Sequence, residues 1–340
     1  MSKKSLIVVG GNRHFDDGPL DSILYFTQKN KIDLLLITDS IHISKPCKTY
    51  KTFKDYLKKK KVKYLVVNKL KNKISIFKRY LKRYPNSILL TAFCFFKINK
   101  KILRLFKNKA FNYHLGKIPE QIGASSSFWY TMNNSKETAI SFHRISNELD
   151  KGELLYEKKF KLKEEHSTLD FYKHVNKQEK KALYEFLTNI LNNKKIKSIK
   201  KDDEDTIYMP KLNTHIHGFI DWSWSAEEIF RFTKVFDEPF KGASTFMGQK
   251  RVYLKNVSFY PSKIKFHPFQ FGIIFNKYKK KIYIACKDGY IKASLFSNKN
   301  KINMSEIILG SRLYTKQIYL DNAKILRSVH TSSGIKLRVK

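Results

Sequence analysis

The sequence predicts an α/β protein: an open, Rossmann-like, mostly parallel sheet with helices on both faces, followed by a small C-terminal domain resembling an OB-type β-barrel. Short apolar segments alternate with longer amphipathic segments over the first 110 residues, and short apolar alternations with turn signals recur after residue 245. The 340 residues also exceed the length at which one hydrophobic core usually stops growing. We therefore expect domains at 1–195 and 244–340, joined by a linker and a connecting helix over 196–243.

The apolar segments of the first domain are short, which is typical of strands buried on both faces of a sheet. Strands are predicted at 5–9, 33–38, 64–67, 87–92, 110–113, 138–145 and 154–162. Helices are predicted at 19–28, 52–60 and 74–83, with a long one from 169 to about 193. Because strands and helices alternate, the sheet is expected to be parallel, with ligands beyond the carboxyl ends of its strands.

The segment 194–205 has a basic run, then an acidic run, and little apolar content, which indicates a solvated connection. A helix is predicted within 220–236, capped by Ser223 or Ser225. Beyond residue 245, strands are predicted at 252–254, 271–275, 282–286 and 290–295, with a hairpin turn at 287–289.

The formal net charge is +39, from 68 Lys and Arg against 29 Asp and Glu. A field of this size attracts phosphates, nucleotides, RNA or anionic lipid. Lys supplies nearly all of the excess, however, and it accompanies abundant Ile, Asn, Phe and Tyr, as in proteins from AT-rich genomes. No basic segment is interleaved with aromatic residues as an RNA-recognition element would be. Charge alone therefore names no partner.

The three cysteines, Cys47, Cys94 and Cys286, are far apart and odd in number, which supports neither a disulfide framework nor a cysteine metal cluster. The apolar segment near the N-terminus is too short for a signal peptide, and no run of about 18 apolar residues occurs. These features predict a cytoplasmic protein with no metal and no membrane partner.

The most specific pattern lies between residues 110 and 155. It comprises Asn112-Tyr113-His114, Pro119, Gly123, His143, Leu149-Asp150 and Gly152. The predicted strand 110–113 runs directly into His114, which places this histidine at the edge of the sheet where ligands bind.

This pattern resembles the formyltransferase family that includes methionyl-tRNA formyltransferase, glycinamide ribonucleotide formyltransferase and the sugar N-formyltransferases. In that family a strand ends in Asn-x-His, a Leu-Pro follows, and a Leu-Asp-x-Gly loop places an Asp about 35 residues after the His. Here 36 residues separate His114 from Asp150. The likeness extends over about residues 85–310, and the first 84 residues agree only in their fold pattern.

The resemblance implies that 10-formyltetrahydrofolate is the formyl donor. It assigns Asn112 to the formyl oxygen, His114 to the general base, and Asp150 to orienting His114 and ordering the folate site. These residue types suit the chemistry, because an amide can donate to an oxyanion, a neutral imidazole can take the amine proton, and a carboxylate stabilises the imidazolium. Further residues are implied for the donor (Phe93, Cys94, Phe95, Leu149, Gly152) and for the acceptor (Lys117, Pro119, Gly123).

Two departures from the family pattern bear on the acceptor amine. A Ser before Leu-Leu-Pro and an Arg-Gly after it are common in the family, but this chain has Gly116 to Pro119 and Ile122-Gly123. The Gly-Thr-Pro turn of the methionyl-tRNA enzyme is replaced by Gly10-Gly11-Asn12. Both changes favour a nucleotide-linked amino sugar, whereas the barrel and the charge favour charged initiator tRNA. A third possibility is a non-catalytic, basic RNA-binding protein, against which the intact Asn, His and Asp set argues.

Overall fold

The computed structural model describes residues 4–11, 13, 18–47, 50–163, 167–202, 204–263, 265–298 and 300–339. The first part of the chain forms nine strands: β1 (Ser5–Gly10), β2 (Asp33–Thr38), β3 (Tyr64–Val66), β4 (Ile88–Ala92), β5 (Ala110–Leu115), β6 (Gln121–Gly123), β7 (Glu137–Arg144), β8 (Leu154–Lys161) and β9 (Ile207–Met209). Its helices are α1 (Gly18–Lys29), α2 (Ser40–Ile43), α3 (Phe53–Lys59), α4 (Ile74–Arg83), α5 (Lys100–Phe106), α6 (Ser126–Met132) and α7 (Thr168–Leu191), with a 3-10 turn at Leu70–Lys73.

Seven of these strands form one sheet in the order β3-β2-β1-β4-β5-β7-β8. β1, β2, β3, β4 and β5 pair in parallel, and β7 and β8 add an antiparallel edge beside β5. The predicted open and mostly parallel sheet is confirmed. Its carboxyl edge at β1, β4 and β5 is the place where the candidate site lies.

Alternate residues of the central strands point into two different cores. Leu6 and Val8 belong to the core under α1, α3 and α7, whereas Ile7 and Val9 belong to the core under α4 and α5. Each core is closed by fully buried aromatic side chains, such as Phe171 on α7 and Phe77 on α4. Helices therefore cover both faces, and this explains why the strands are apolar along their whole length.

The connection after α7 is attached to the first domain through Ile199 and Lys201. Lys201 pairs with Glu120 and Glu157, at N–O distances of 3.1 and 2.6 Å, and the Ile199 N–H donates to the Leu154 carbonyl. β9 then pairs in parallel with β6. Most described residues of the connection predicted at 194–205 are exposed, as predicted, but Ile199 and Lys201 tie it to the first domain. The chain then brings residues 208–213 to the carboxyl edge of the sheet.

The second part begins with the helices α8 (Thr214–His217) and α9 (Ala226–Phe236). Of the two predicted caps for the 220–236 helix, Ser225 is the one used, because Glu228 three residues later completes a capping box. The strands that follow are β10 (Ala243–Met247), β11 (Lys250–Pro261), β12 (Ile274–Tyr278), β13 (Lys281–Cys286), β14 (Gly289–Ser297), β15 (Asn300–Lys301) and β16 (Leu313–Tyr314). Two 3-10 turns, Pro268–Gln270 and Met304–Glu306, lie among them.

These strands form an antiparallel sheet in the order β12-β13-β14-β11-β10-β16, curled around a core that α9 closes. The N–H of Leu313 in β16 donates to the Gly272 carbonyl just before β12, so the two ends of the sheet meet. The β-barrel-like prediction is confirmed. The predicted strand 271–275 starts too early, because the 3-10 turn capped by His267 delays the strand to Ile274.

The chain ends in α10 (Gln317–Ile325) and a hairpin of β17 (Leu326–Thr331) and β18 (Gly334–Val339). Among the described residues, this hairpin forms a sheet of its own and pairs with no strand of the barrel. It crosses back to the first domain, where its Thr331 carbonyl accepts from the Lys97 N–H at 3.0 Å and its Ser332 carbonyl accepts from the Leu70 N–H at 3.1 Å. None of the described helices is both long and apolar enough to cross a membrane.

Candidate active site

A cavity of about 950 Å³ opens at the carboxyl ends of β1, β4 and β5. His114 reaches it from the end of β5, and Asp150 reaches it from the loop between β7 and β8. The C-terminal hairpin forms part of its wall through Val329, His330 and Leu337. Its size is within the range of cavities that hold cofactor-sized ligands.

Asp150 lies at the centre of a cluster of polar side chains. One carboxylate oxygen accepts from Asn112 Nδ2 at 3.2 Å and lies 3.5 Å from His143 Nε2. The other accepts from the Gly123 N–H at 3.0 Å and lies 3.7 Å from His114 Nδ1. Burial alone would raise the pKa of Asp150, but His114, His143 and the Gly123 N–H together lower it to about 2. The carboxylate is therefore charged at neutral pH.

The His114 ring is held by a backbone carbonyl. Its Nε2 lies 2.8 Å from the carbonyl oxygen of Gln121, so Nε2 carries the proton and Nδ1 has a free lone pair. Burial lowers the pKa of His114 below its ordinary 6.5, which keeps the ring neutral at neutral pH. Gly116 leaves room for this ring, since a Cβ there would lie 2.7 Å from Nε2. A neutral base thus presents its open nitrogen beside the Asp150 carboxylate.

The Asn112 amide is fixed at both ends. Its Oδ1 accepts from the Thr91 hydroxyl at 2.6 Å, which turns Nδ2 towards Asp150 and towards His143 Nε2, the latter at 2.9 Å. His143 can accept at Nε2 because its Nδ1 donates to the Arg144 carbonyl at 2.9 Å. Asn112 therefore offers an N–H group of defined direction next to the base.

The sequence pattern contained His143 but gave it no role. In the structure it faces Asn112 directly, because β5 and β7 are antiparallel and these two residues form a cross-strand pair. Only this register brings the two side chains together. Gln121, whose carbonyl orients His114, was missed because any residue type supplies a backbone carbonyl.

Most residues predicted to contact the donor line the cavity, namely Phe93, Cys94, Phe95 and Leu149. Burial raises the pKa of the Cys94 thiol to about 12, so this residue acts as a small apolar group. Gly152 does not line the cavity. Its backbone packs on β7, where a Cβ would lie 1.7 Å from the Arg144 carbonyl oxygen, so it supports the loop that carries Asp150.

Of the three residues predicted to contact the acceptor, one lines the cavity and two do not. Gly123 lines the cavity and donates to Asp150. Lys117 instead pairs with Glu137, and neither it nor Pro119 lines the cavity. An acceptor role for these three residues stays a prediction. Within the described part of the chain, no group of three His, Cys, Asp or Glu residues is placed to hold a metal ion.

The sequence matches two family models. Residues 23–187 match the formyl transferase model, and residues 214–312 match the model of the formyl transferase C-terminal domain. The chain belongs to the formyl transferase family. The C-terminal hairpin lies outside both matches.

Individual relatives are distant in sequence. The chain is 26% identical over 253 residues to the bifunctional polymyxin resistance protein ArnA of Wigglesworthia glossinidia brevipalpis, which covers 74% of this chain and 37% of that protein. It is 27% identical over 153 residues to the methionyl-tRNA formyltransferase of Buchnera aphidicola subsp. Acyrthosiphon pisum (strain Tuc7), which covers 45% of this chain and 48% of that enzyme. The chain thus matches between a third and a half of the length of these curated relatives.

A solved structure shares the fold at lower identity. The N-formyltransferase of Helicobacter canadensis, in complex with folinic acid and dTDP-3-aminofucose, superimposes with a TM-score of 0.62 at 18% identity. The match covers 87% of this chain and 100% of that one.

Proposed function

We propose that this protein transfers a formyl group from 10-formyltetrahydrofolate to the primary amine of a nucleotide-linked amino sugar. The observation that carries the proposal is the meeting of Asn112, a neutral His114 and a charged Asp150 at one wall of a large cavity. The aromatic ring of Phe93 lines the same cavity, and it suits the flat, heteroaromatic head of a folate.

The donor supplies an activated formyl carbon, and attack by an amine on it creates a negative oxygen and a positive nitrogen. Asn112 Nδ2 can donate to that oxygen, as an amide does in an oxyanion hole, when the N–H group that points to Asp150 at 3.2 Å is given up to the oxyanion. His114 Nδ1 can take the proton from the amine, since Nε2 is already committed to the Gln121 carbonyl. The resulting imidazolium lies beside the Asp150 carboxylate, which stabilises its charge.

The choice of acceptor rests on the departures at Gly10–Gly11 and Gly116–Pro119, which distinguish this chain from the methionyl-tRNA enzymes. It is further supported by the Helicobacter canadensis neighbour, which was solved with a dTDP amino sugar. Charged initiator tRNA is the second candidate. The net charge of +39, the β-barrel-like C-terminal domain and the Buchnera methionyl-tRNA formyltransferase relative favour it.

The two acceptors are separated by one assay. Purified protein is supplied with 10-formyltetrahydrofolate, and release of tetrahydrofolate is followed with either charged initiator tRNA or a panel of amino-sugar nucleotides. We expect turnover with a sugar nucleotide. Turnover with the tRNA alone would refute the sugar acceptor and leave formyl transfer intact, and turnover with neither would refute both.

His114→Ala tests the mechanism in the same assay. Loss of the base should lower kcat by about 100-fold to 10,000-fold. His174→Ala is the matched control, because His174 is a partly exposed histidine on α7 that does not line the cavity. Near-full activity of His114→Ala would show that this residue is not the base.

A further inference from the structure

Two lysines contact one aromatic ring in the part of the cavity next to α2. The ammonium groups of Lys45 and Lys211 lie 4.7 and 4.4 Å from the centre of the Phe95 ring. Both side chains are partly buried and both line the cavity. They come from distant parts of the chain, Lys45 from just beyond α2 and Lys211 from just beyond β9.

Asp39, the carboxylate whose charge acts on both lysines, already has other hydrogen-bond partners. Asp39 caps α2 with one oxygen, which accepts from the N–H groups of Ile41 and His42, both at 2.9 Å. Its other oxygen lies 2.6 Å from His42 Nδ1. Within the described residues, neither Lys45 nor Lys211 has a hydrogen bond or an ion pair through its ammonium group.

The surroundings hold this arrangement in place. The His42 ring packs on Phe95 with centroids 4.0 Å apart, and it fits only because Gly11 has no side chain, since a Cβ there would lie 2.1 Å from the ring. On the other side, Lys211 forms a backbone bridge with Ser328 of the hairpin. Two cations are thus fixed near each other in a partly desolvated place.

Such an arrangement is unfavourable without an anion. Burial lowers the pKa of Lys45 to about 8, and burial together with the charge of Lys45 lowers the pKa of Lys211 to about 8. Contact with an aromatic ring compensates only part of the lost hydration. A ligand anion between the two lysines would restore the missing partner, and perturbed groups in a cleft are common at binding sites.

We propose that Lys45 and Lys211 form an anion subsite that holds a phosphate or carboxylate group of a ligand bound in the cavity. Naming the ligand rests on the proposed function: the anion is either the diphosphate of the sugar nucleotide or the glutamate carboxylate of the folate.

Equilibrium binding by calorimetry with the full chain tests this proposal. The probes form two pairs that differ in the anion: dTDP against thymidine, and folinic acid against its analogue without the glutamate. The variants are Lys45→Met, Lys211→Met and the double variant, which keep the apolar stem on Phe95 and remove the charge. Lys97→Met is the control, because Lys97 lines the same cavity with an exposed side chain.

We expect the double variant to weaken one anionic probe by about tenfold or more, with its uncharged counterpart unchanged. A loss for dTDP assigns the subsite to the nucleotide, and a loss for folinic acid assigns it to the donor. Lys97→Met should change binding less than about twofold, and Lys211→Arg should retain affinity. If Lys97→Met lost as much affinity for the anionic probe, the effect would come from the general positive field of the protein, and the proposal would be overturned.

The remaining outcomes are also decisive. If wild type binds neither anionic probe, or if the double variant binds both as wild type does, the subsite is refuted whatever the enzyme's activity. If the double variant loses an anionic probe but wild type formylates no amine, the subsite stands and the proposed function fails. The melting temperature of the double variant should equal or exceed that of wild type, since two unpaired like charges have been removed.

Discussion

The two ends of the cavity differ in whether groups of the protein pair with their charged side chains. At the Asp150 end, the carboxylate has Asn112, Gly123, His114 and His143 within 3.7 Å. At the Phe95 end, two ammonium groups share an aromatic ring and have no carboxylate partner among the described residues. The first arrangement is complete in the protein alone, as preorganised chemistry requires. The second is completed only by a ligand.

The largest effect is expected at the complete end. Asp150→Asn should lower kcat by about 1,000-fold, because the imidazolium of His114 loses its counter-charge and the Gly123 N–H loses a charged acceptor. Steady-state turnover measures the loss, and circular dichroism checks the fold. A variant with more than a tenth of wild-type activity would contradict the assigned role.

A smaller loss is expected at His143. His143→Ala removes the acceptor of Asn112 Nδ2, so the amide is less firmly directed, and kcat should fall by about tenfold to 100-fold. His143→Gln, which can offer an amide oxygen to the same donor, should recover part of the loss. Equal activities of the two variants would show that the acceptor at this position is unimportant.

The pH dependence compares the two ends directly. His114 must be neutral to accept a proton, and its pKa is lowered by burial, so kcat/KM should rise about tenfold per pH unit up to a value below 6.5 and then level off. Lys45 and Lys211 have pKa values of about 8, so affinity for the anionic ligand should be full below that pH and fall above it. Asp39, His42 and His330 also face these lysines.

Rates measured at saturating and at limiting substrate from pH 5 to 9 separate these two effects. The acid limb is the rise of kcat/KM as His114 loses its proton, and the alkaline limb is the loss of affinity as the two lysines lose theirs. Lys45→Met with Lys211→Met should remove the alkaline limb in KM and leave the acid limb unchanged. An acid limb at or above pH 6.5 would contradict the neutral, buried state of His114.

The smallest effect is expected at His330 on the hairpin. Burial lowers its pKa to about 4, and its Nδ1 has no hydrogen-bond partner among the described residues. His330→Ala therefore breaks no interaction at Nδ1, and we expect a rise in KM of about threefold with kcat unchanged. A fall in kcat as large as that of His143→Ala would make the hairpin part of the reacting centre.

The sequence was a good guide wherever local chemistry sets the structure. The position of His114 near the end of β5, the cap at Ser225 and the mostly parallel sheet follow from apolar runs and side-chain patterns that extend over a few residues. The spacing of Asn112, His114 and Asp150 led to the family, which the two family models confirm. The catalytic roles of these residues stay predictions until the variants are measured.

Other features of the structure could not be predicted from the sequence pattern. The sequence indicated a solvated connection at 194–205, but Lys201 finds Glu120 and Glu157, whose positions depend on how β6 and β8 pack. The predicted start at residue 271 was wrong, because the 3-10 turn Pro268–Gln270 continues into a turn and the strand begins only at Ile274. The contacts of Lys201 depend on partners that are distant in the chain, whereas the late start of the strand follows a local turn capped by His267.

The sequence by itself determined the fold class, and it predicted the edge of the sheet where Asn112, His114 and Asp150 meet. Tertiary structure alone decided that His143 faces Asn112, that the Gln121 carbonyl selects the tautomer of His114, and that Lys45 and Lys211 meet at Phe95. The physical reason is the separation, along the chain, of the residues that determine each feature. Strand ends and caps depend on neighbouring residues, whereas strand register and the return of distant segments depend on packing of the whole chain.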